Sequence, residues 1–200
     1  MSNRRTGIIL LAAGGSRRLG QPKQLVSYGG TSLVKYVSVT ALIAGFPAVV
    51  VLGASAKKIR RELADLAVEP VINREWSKGI STSIQKGLRA LRNAHPELEA
   101  VIVMLCDQPR VTPEAIESLV KTYRETGMPI VASEYEGTVG VPALFGYEMF
   151  GELLALEGDK GAKSLIERYG DTLVTVVPVP EAALDIDTPE DVEMIAAMAA

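Results

Sequence analysis

Apolar runs of strand length alternate along the chain with amphipathic stretches of helical period. Gly7 to Ala13 (GIILLAA), Ala48 to Leu52 (AVVVL), Val68 to Ile72 and Ala100 to Leu105 (AVIVML) read as strands. The nearly unbroken hydrophobicity of the first, second and fourth predicts burial on both faces, while Val68 to Ile72 (VEPVI) is the weaker strand. Between them, the segments from Thr31 or Ser32 to Ala44, closed by Gly45, from Ser55 to Leu66, with Ser55 as N-cap, and from Ser81 to Leu91 read as helices. Thr112-Pro113 opens a further helix, and Thr188-Pro189-Glu190-Asp191 opens another with acidic residues suited to its dipole. The alternation predicts an α/β fold: a mostly parallel central sheet flanked by helices. Gly137 to Tyr147 (GTVGVPALFGY) reads as a loop and short strand near the substrate side. Ligands of such open sheets bind outside the carboxyl ends of the strands, so residues just after strands are the first functional candidates.

Composition narrows the chemistry. With 200 residues, 48% of them hydrophobic, the chain can bury a substantial core and predicts a single domain over residues 1–200. The 21 Lys and Arg against 24 Asp and Glu leave a net charge of -3, which points away from nucleic acid or an anionic membrane as partner. One cysteine, Cys106, and one histidine, His95, exclude an internal disulfide and make a Cys/His zinc cluster or a Ser-His-Asp triad implausible. Catalysis must therefore come from carboxylates, lysines, arginines and backbone. No apolar run approaches the roughly 20 residues of a membrane span, and MSNRRTG leads straight into a strand, so a cytoplasmic location is expected.

Three places after strands carry candidate chemistry. The loop from Leu11 to Leu25, LAAGGSRRLGQPKQL, combines Gly14, Gly15 and Gly20 with Arg17, Arg18 and Lys23. Glycines permit close backbone approach, and three cations suit a polyphosphate whose charge moves onto departing pyrophosphate. Gly15 to Gly20 matches the first half of a P-loop, but Gln21-Pro22 stands where Lys and Ser/Thr should follow; the pair Gly14-Gly15 also lacks dinucleotide spacing. The second place, MLCDQPRVTP, puts Asp107 directly after the fourth strand, where a carboxylate can hold Mg²⁺ together with substrate phosphates or simply cap a turn before Pro109. The third, ALDIDTPEDV, holds Asp185 and Asp187 before a helix start.

The string LAAGGSRRLGQPK resembles the LAAG-x-S-x-R-x-G-x-x-K signature of nucleotidyltransferases that transfer CMP or GMP, among them the molybdenum cofactor cytidylyltransferases and guanylyltransferases of the MobA-like family. The resemblance implies their Rossmann-like nucleotide-diphospho-sugar transferase fold. It also implies that Leu11, Ala12, Ala13, Gly14 and Gly15 line base and ribose, that Ser16, Arg17 and Gly20 belong to the same nucleotide loop, and that Arg18 and Lys23 contact the phosphates. CDQP resembles the family's G-D-Q-P with Asp107 on the metal and Cys106 in the glycine's place. DIDTPED is similar to its terminal D-I-D/N-T-P-E-D element, which sets Asp187 opposite Asp107 as a second metal-side carboxylate, with Asp185 the weaker candidate. NREWSKGISTSIQKGL resembles the loop and helix closing over the nucleotide, with Gly79, Ser81 and Ser83 at the helix start and Trp76 as lid or core. GVPALF and LEGDKGAK resemble elements of the cytidylyltransferase branch.

What the resemblance implies is a Mg²⁺-dependent transfer of CMP from CTP to a phosphorylated small molecule, the molybdenum cofactor (molybdopterin), with release of pyrophosphate and a molybdoenzyme as recipient of the product. An anionic acceptor needs no general base, which suits a chain without a candidate catalytic histidine. Base choice does not follow from the residues themselves. GMP transfer, transfer to a sugar phosphate or methylerythritol phosphate, and a non-catalytic nucleotide-binding accessory role are the alternatives.

Overall fold

The structure, a computed structural model, describes residues 5–16 and 18–198. Its strands are β1 (Thr6–Ala12), β2 (Ser27–Tyr28), β3 (Thr31–Ser32), β4 (Ala48–Leu52), β5 (Glu69–Ile72), β6 (Ala100–Leu105), β7 (Ile130–Tyr135), β8 (Thr138–Gly146) and β9 (Val174–Pro178). The helices are α1 (Leu33–Ile43), α2 (Ala56–Glu62), α3 (Ile80–Ala94), α4 (Pro113–Thr126), α5 (Phe150–Leu154), α6 (Lys163–Leu173) and α7 (Pro189–Met198). Strands β2 and β3 form a small antiparallel ribbon, and the other seven make one sheet in the order β5-β4-β1-β6-β8-β7-β9. Only β8 runs against its neighbours in that sheet.

Alternation within the apolar runs builds two cores. Ile8, Leu10, Val50, Leu52, Ile102 and Met104 pack under α1, α2 and α4, whereas Ile9, Leu11, Val49, Val51, Val101 and Val103 pack under α3, α5 and α6. Successive strand side chains point to opposite faces, so a strand covered on both sides must be apolar throughout. The mostly parallel sheet flanked by helices is the architecture read from the sequence.

Two local expectations need correction. The Gly137–Tyr147 segment is mostly β8, a nine-residue strand paired on both sides, rather than a loop with a short strand. Its Pro142 is accommodated beside a register shift at Ala132/Ser133, where the Ser133 hydroxyl donates to the Pro142 carbonyl at 2.6 Å; an irregularity in the ladder is where a strand tolerates proline. Ser55 precedes α2 as expected, but its φ is 58° and its side chain makes no capping bond. Thr112, by contrast, caps α4 by accepting from the Ala115 N–H at 3.2 Å.

The chain passes from β1 to β4 and β5 on one side and then returns to β6 on the other. Strand order thus reverses between β1 and β6, the topological position at which open α/β sheets bind ligands.

Candidate active site

The loop leaving β1 is folded around its own side chains. Ser16, at φ 50°, offers its hydroxyl to the Lys23 N–H at 3.0 Å and its carbonyl to the Gly20 N–H at 3.2 Å, while Gly20 takes φ +72° to turn the chain. Buried Gln24 donates from Nε2 to the Ala12 and Gly14 carbonyls at 3.1 and 2.9 Å, tying the loop back to the end of β1. Lys23 is thereby aimed at the end of β6.

There its ammonium bonds the carboxylates of Asp107 and, at 2.8 Å, Asp187. Arg18 Nη2 reaches the other oxygen of Asp187 at 2.7 Å. Side-chain exposures of 18% for Lys23 and 13% for Asp107 make this a screened but substantial interaction. Burial works against the charge on Lys23, yet the charge of and hydrogen bond to Asp107, and then those of Asp187, outweigh it and hold its pKa above the ordinary value. Burial likewise opposes ionisation of Asp187, but Lys23 and then Arg18 keep its pKa low. Asp187 is positioned from two sides. Its neighbour Ile186, fully buried, donates to the Asp107 carbonyl at 3.0 Å, and the Asp191 carboxylate accepts from the Asp187 and Thr188 N–H groups at 2.9 and 2.8 Å at the start of α7.

Asp185 stands near the same centre. Burial, followed by the charges of Asp107 and Asp187, pushes its pKa up to about 6. Cys106 is buried, and burial raises its thiol pKa well above the ordinary value, so it stays a neutral strand-end residue in the place of the resembled glycine.

A cavity of about 420 Å³ opens beside this centre. Leu11, Ala13, Gly14, Gly15, Lys23, Gly79, Ser83 and Asp107, eight of the residues expected at the nucleotide, share its wall. Ala12 contributes its carbonyl to Gln24 instead, and Arg17 lies outside the described residues. Ser81 is buried behind the wall, its N–H donated to the Gly158 carbonyl at 3.2 Å. Trp76, read as lid or core, is part of the wall; a Cβ on Gly53 would stand 2.6 Å from Trp76 Cβ, so a glycine there makes room for the indole.

Several contributors lie within the motif stretches but had no role assigned to them from the sequence. Asn73, buried at the end of β5, donates to the Thr82 and Ser83 hydroxyls at 2.8 and 3.0 Å and accepts from the Glu75 N–H at 2.9 Å, which fixes the turn that carries Trp76 to the start of α3. Gln108 donates to the Val141 and Ala182 carbonyls at 3.3 and 3.0 Å and so holds the late segment beside Asp107. Asp159 also lines the cavity. A wider groove of about 690 Å³ along α4 is lined by Glu114, Glu117, Lys121 and Arg124 among others, but it gathers none of these groups.

The donor set suits a divalent cation that shares its shell with phosphates. Asp107 Oδ1 is buried and lacks a hydrogen-bond partner among the described residues, and Asp185 lies close enough to both Asp107 and Asp187 for its charge to interact with theirs. Among the described residues no group of three or more His, Cys, Asp or Glu side chains is placed to hold a metal ion by itself, so a cation here would depend on substrate oxygens for the rest of its shell.

A family model described as MobA-like NTP transferase domain matches residues 8–173. The chain belongs to this family. As a MobA-like NTP transferase it is a nucleotidyltransferase. It is similar to a Mycobacterium sp. strain JC1 homologue of Rv0371c, at 33% identity and TM-score 0.83, covering 98% of this chain and 96% of that one. Rv0371c of Mycobacterium tuberculosis H37Rv, solved as a complex with manganese, matches at 30% identity and TM-score 0.76 over 95% and 96% of the two chains. Purine catabolism protein PucB of Bacillus subtilis is 26% identical over 94% of both chains. Among the described residues of this NTP transferase, no helix is long and apolar enough to cross a membrane.

Proposed function

We propose that this nucleotidyltransferase moves CMP from CTP to a phosphate of the molybdenum cofactor, molybdopterin, using Mg²⁺ and releasing pyrophosphate. The observation that carries the reading is the meeting of Lys23, Asp107 and Asp187, from three distant parts of the chain, at the edge of a cavity walled by the glycine loop. An acceptor phosphate oxygen attacks the α-phosphorus in line, forming a new P–O bond as the bond to the β-phosphate breaks and its electron pair leaves on pyrophosphate. Asp107 and Asp187 are the residues to hold the cation, and the manganese complex of Rv0371c supports a divalent ion. Mg²⁺ supplies electrostatic relief of the charge that builds on the phosphates.

Lys23 and Arg18 act on that same charge. Without a triphosphate they are held by the two carboxylates; with one, their donors can turn to its oxygens, since both are long side chains already at the site. The acceptor is an anion at neutral pH and needs no base. The choice of cytosine and of the pterin acceptor rests on the likeness of LAAGGSRRLGQPKQL, CDQP, GVPALF and LEGDKGAK to the cytidylyltransferase branch. The nucleotidylated cofactor would then pass to a molybdoenzyme.

Competition between equal CTP and GTP for one labelled molybdopterin tests both choices. CMP incorporation is expected. Preferential GMP incorporation refutes the base, and transfer only to a sugar phosphate or methylerythritol phosphate refutes the acceptor.

A further inference from the structure

The loop between α5 and α6 forms a strap across the start of α3. The Gly158 carbonyl takes the Ser81 N–H at 3.2 Å, Gln85 Nε2 donates to the Leu156 carbonyl at 2.8 Å, and the Lys160 N–H closes the loop on the Glu157 carbonyl at 3.2 Å. The fit depends on Gly79. It sits at φ +118°, and a Cβ there would stand 2.1 Å from the Gly158 oxygen and 2.2 Å from its carbon. A side chain at position 79 would therefore lift the strap.

The strap brings Asp159 into the wall of the cavity that also holds Lys23 and Asp107. Asp159 is exposed and forms no ion pair among the described residues. Two chemical facts limit what it can meet. An ionised carboxylate only accepts hydrogen bonds, and it repels a triphosphate, whose place is with Lys23 and Arg18. What remains of a nucleotide is the nucleoside, whose donors are the ribose hydroxyls and, at most, part of the base edge. Leu11, Ala13, Ile80 and Leu105 supply apolar wall for a flat base. The hydrated rim position of Asp159 suits the sugar, because a carboxylate there keeps its water until two vicinal O–H groups replace it, whereas burial against a base would strip it.

We infer that Asp159 is a specificity residue that accepts hydrogen bonds from the ribose hydroxyls and makes the cleft select ribonucleotides over deoxyribonucleotides. The inference rests on the cleft being the nucleotide site of the proposed transfer. It adds a fourth sequence-distant segment to that site, supplied by GDKG, and gives Gly79 a definite part in holding it.

Titration calorimetry of the full chain in Mg²⁺, with CTP and GTP and their 2′-deoxy and 3′-deoxy forms and no acceptor, tests it. The wild-type protein is expected to bind the better ribonucleotide about tenfold or more tightly than at least one of its deoxy forms, the scale of a hydrogen bond to a charged group. Asp159→Ala and Asp159→Asn, both on an exposed side chain, should bind the ribonucleotide more weakly and should come within about twofold of that deoxy form. Variants that keep the wild-type ratio, or a wild-type protein indifferent to both hydroxyls, overturn the inference and leave the transfer reading standing. Absence of binding by any of the six nucleotides refutes the nucleotide cleft itself.

Discussion

Replacing Lys23 with Met removes the ammonium from between Asp107 and Asp187 while leaving the backbone bond from Lys23 N–H to Ser16 in place. What stays behind is a set of carboxylates, Asp107, Asp185 and Asp187, answered by Arg18 alone among the contacts described. A fully buried pair broken in this way costs about 3–5 kcal/mol and an exposed one about 0–1. With side-chain exposures of 18%, 13% and 30% for Lys23, Asp107 and Asp187, the loss should fall between, near 2 kcal/mol, or roughly 4–8 °C in Tm for a chain of this size. The same change opens the carboxylates to a divalent ion that no longer competes with an ammonium. Lys23→Met should therefore bind Mn²⁺ more tightly than wild type without nucleotide, and Mn²⁺ should restore much of the lost Tm. Transfer should nevertheless fall by about 10²–10³-fold, mostly in kcat, because a cation acting on charge in the transition state is gone. Melting curves with and without Mn²⁺, alongside initial rates of pyrophosphate release, measure all three. A variant that melts and binds Mn²⁺ like wild type, and loses only KM for NTP, refutes the bridging role.

Asp107→Ala should fold normally yet lose on the order of 10³-fold in transfer rate, several kcal/mol of charge stabilisation, as read by pyrophosphate release at saturating Mg²⁺; near wild-type turnover at limiting Mg²⁺ would contradict the metal assignment. Asn73→Ala should cost about 2–3 kcal/mol of stability in urea melts, since it strips three hydrogen bonds from a buried turn. It should also raise KM for NTP more than it lowers kcat, because Trp76 and Gly79 lose their anchor, and an unchanged KM would show that the turn is not tied to the cleft.

The sequence pattern reached the half of the sheet whose strands are plain apolar runs. β1, β4 and β6 were legible to within a residue because each is a buried, nearly continuous apolar run; β5 was also placed to within a residue, although it is a partly exposed edge strand that carries Glu69 and Pro70. β8 was not, since Gly140, Pro142 and Gly146 are turn-formers by local preference and only the ladder with β6 and β7 overrides them. β7 and β9 escaped for a related reason: strands that mix polar with apolar residues, IVASEY and VTVVP, are defined by their partners. At the site, residues immediately after strands were readable, as Asp107 and the glycine loop show. The roles of Asn73, Gln108 and Asp159 were not, although all three fall inside the motif stretches: Asn73 acts through the fold of its own turn, Asp159 through the cavity it lines, and a hydrogen bond across 74 positions, such as that from Gln108 to Ala182, leaves no local pattern.

The distance between Lys23 and Asp187 along the chain, 164 positions, has a consequence for how this protein comes into being. During synthesis the glycine loop, the central strands and most of the cavity wall leave the ribosome well before the segment that bears Asp187. That segment joins the rest by Ile186 on the Asp107 carbonyl and Ala182 on Gln108, contacts that form only after the chain has been made past residue 187. A nascent or prematurely terminated chain would carry the nucleotide end of the site without its second carboxylate. On the proposed chemistry such a fragment could hold an NTP but not turn it over efficiently, so catalytic competence arrives only when the segment that bears Asp187 has docked.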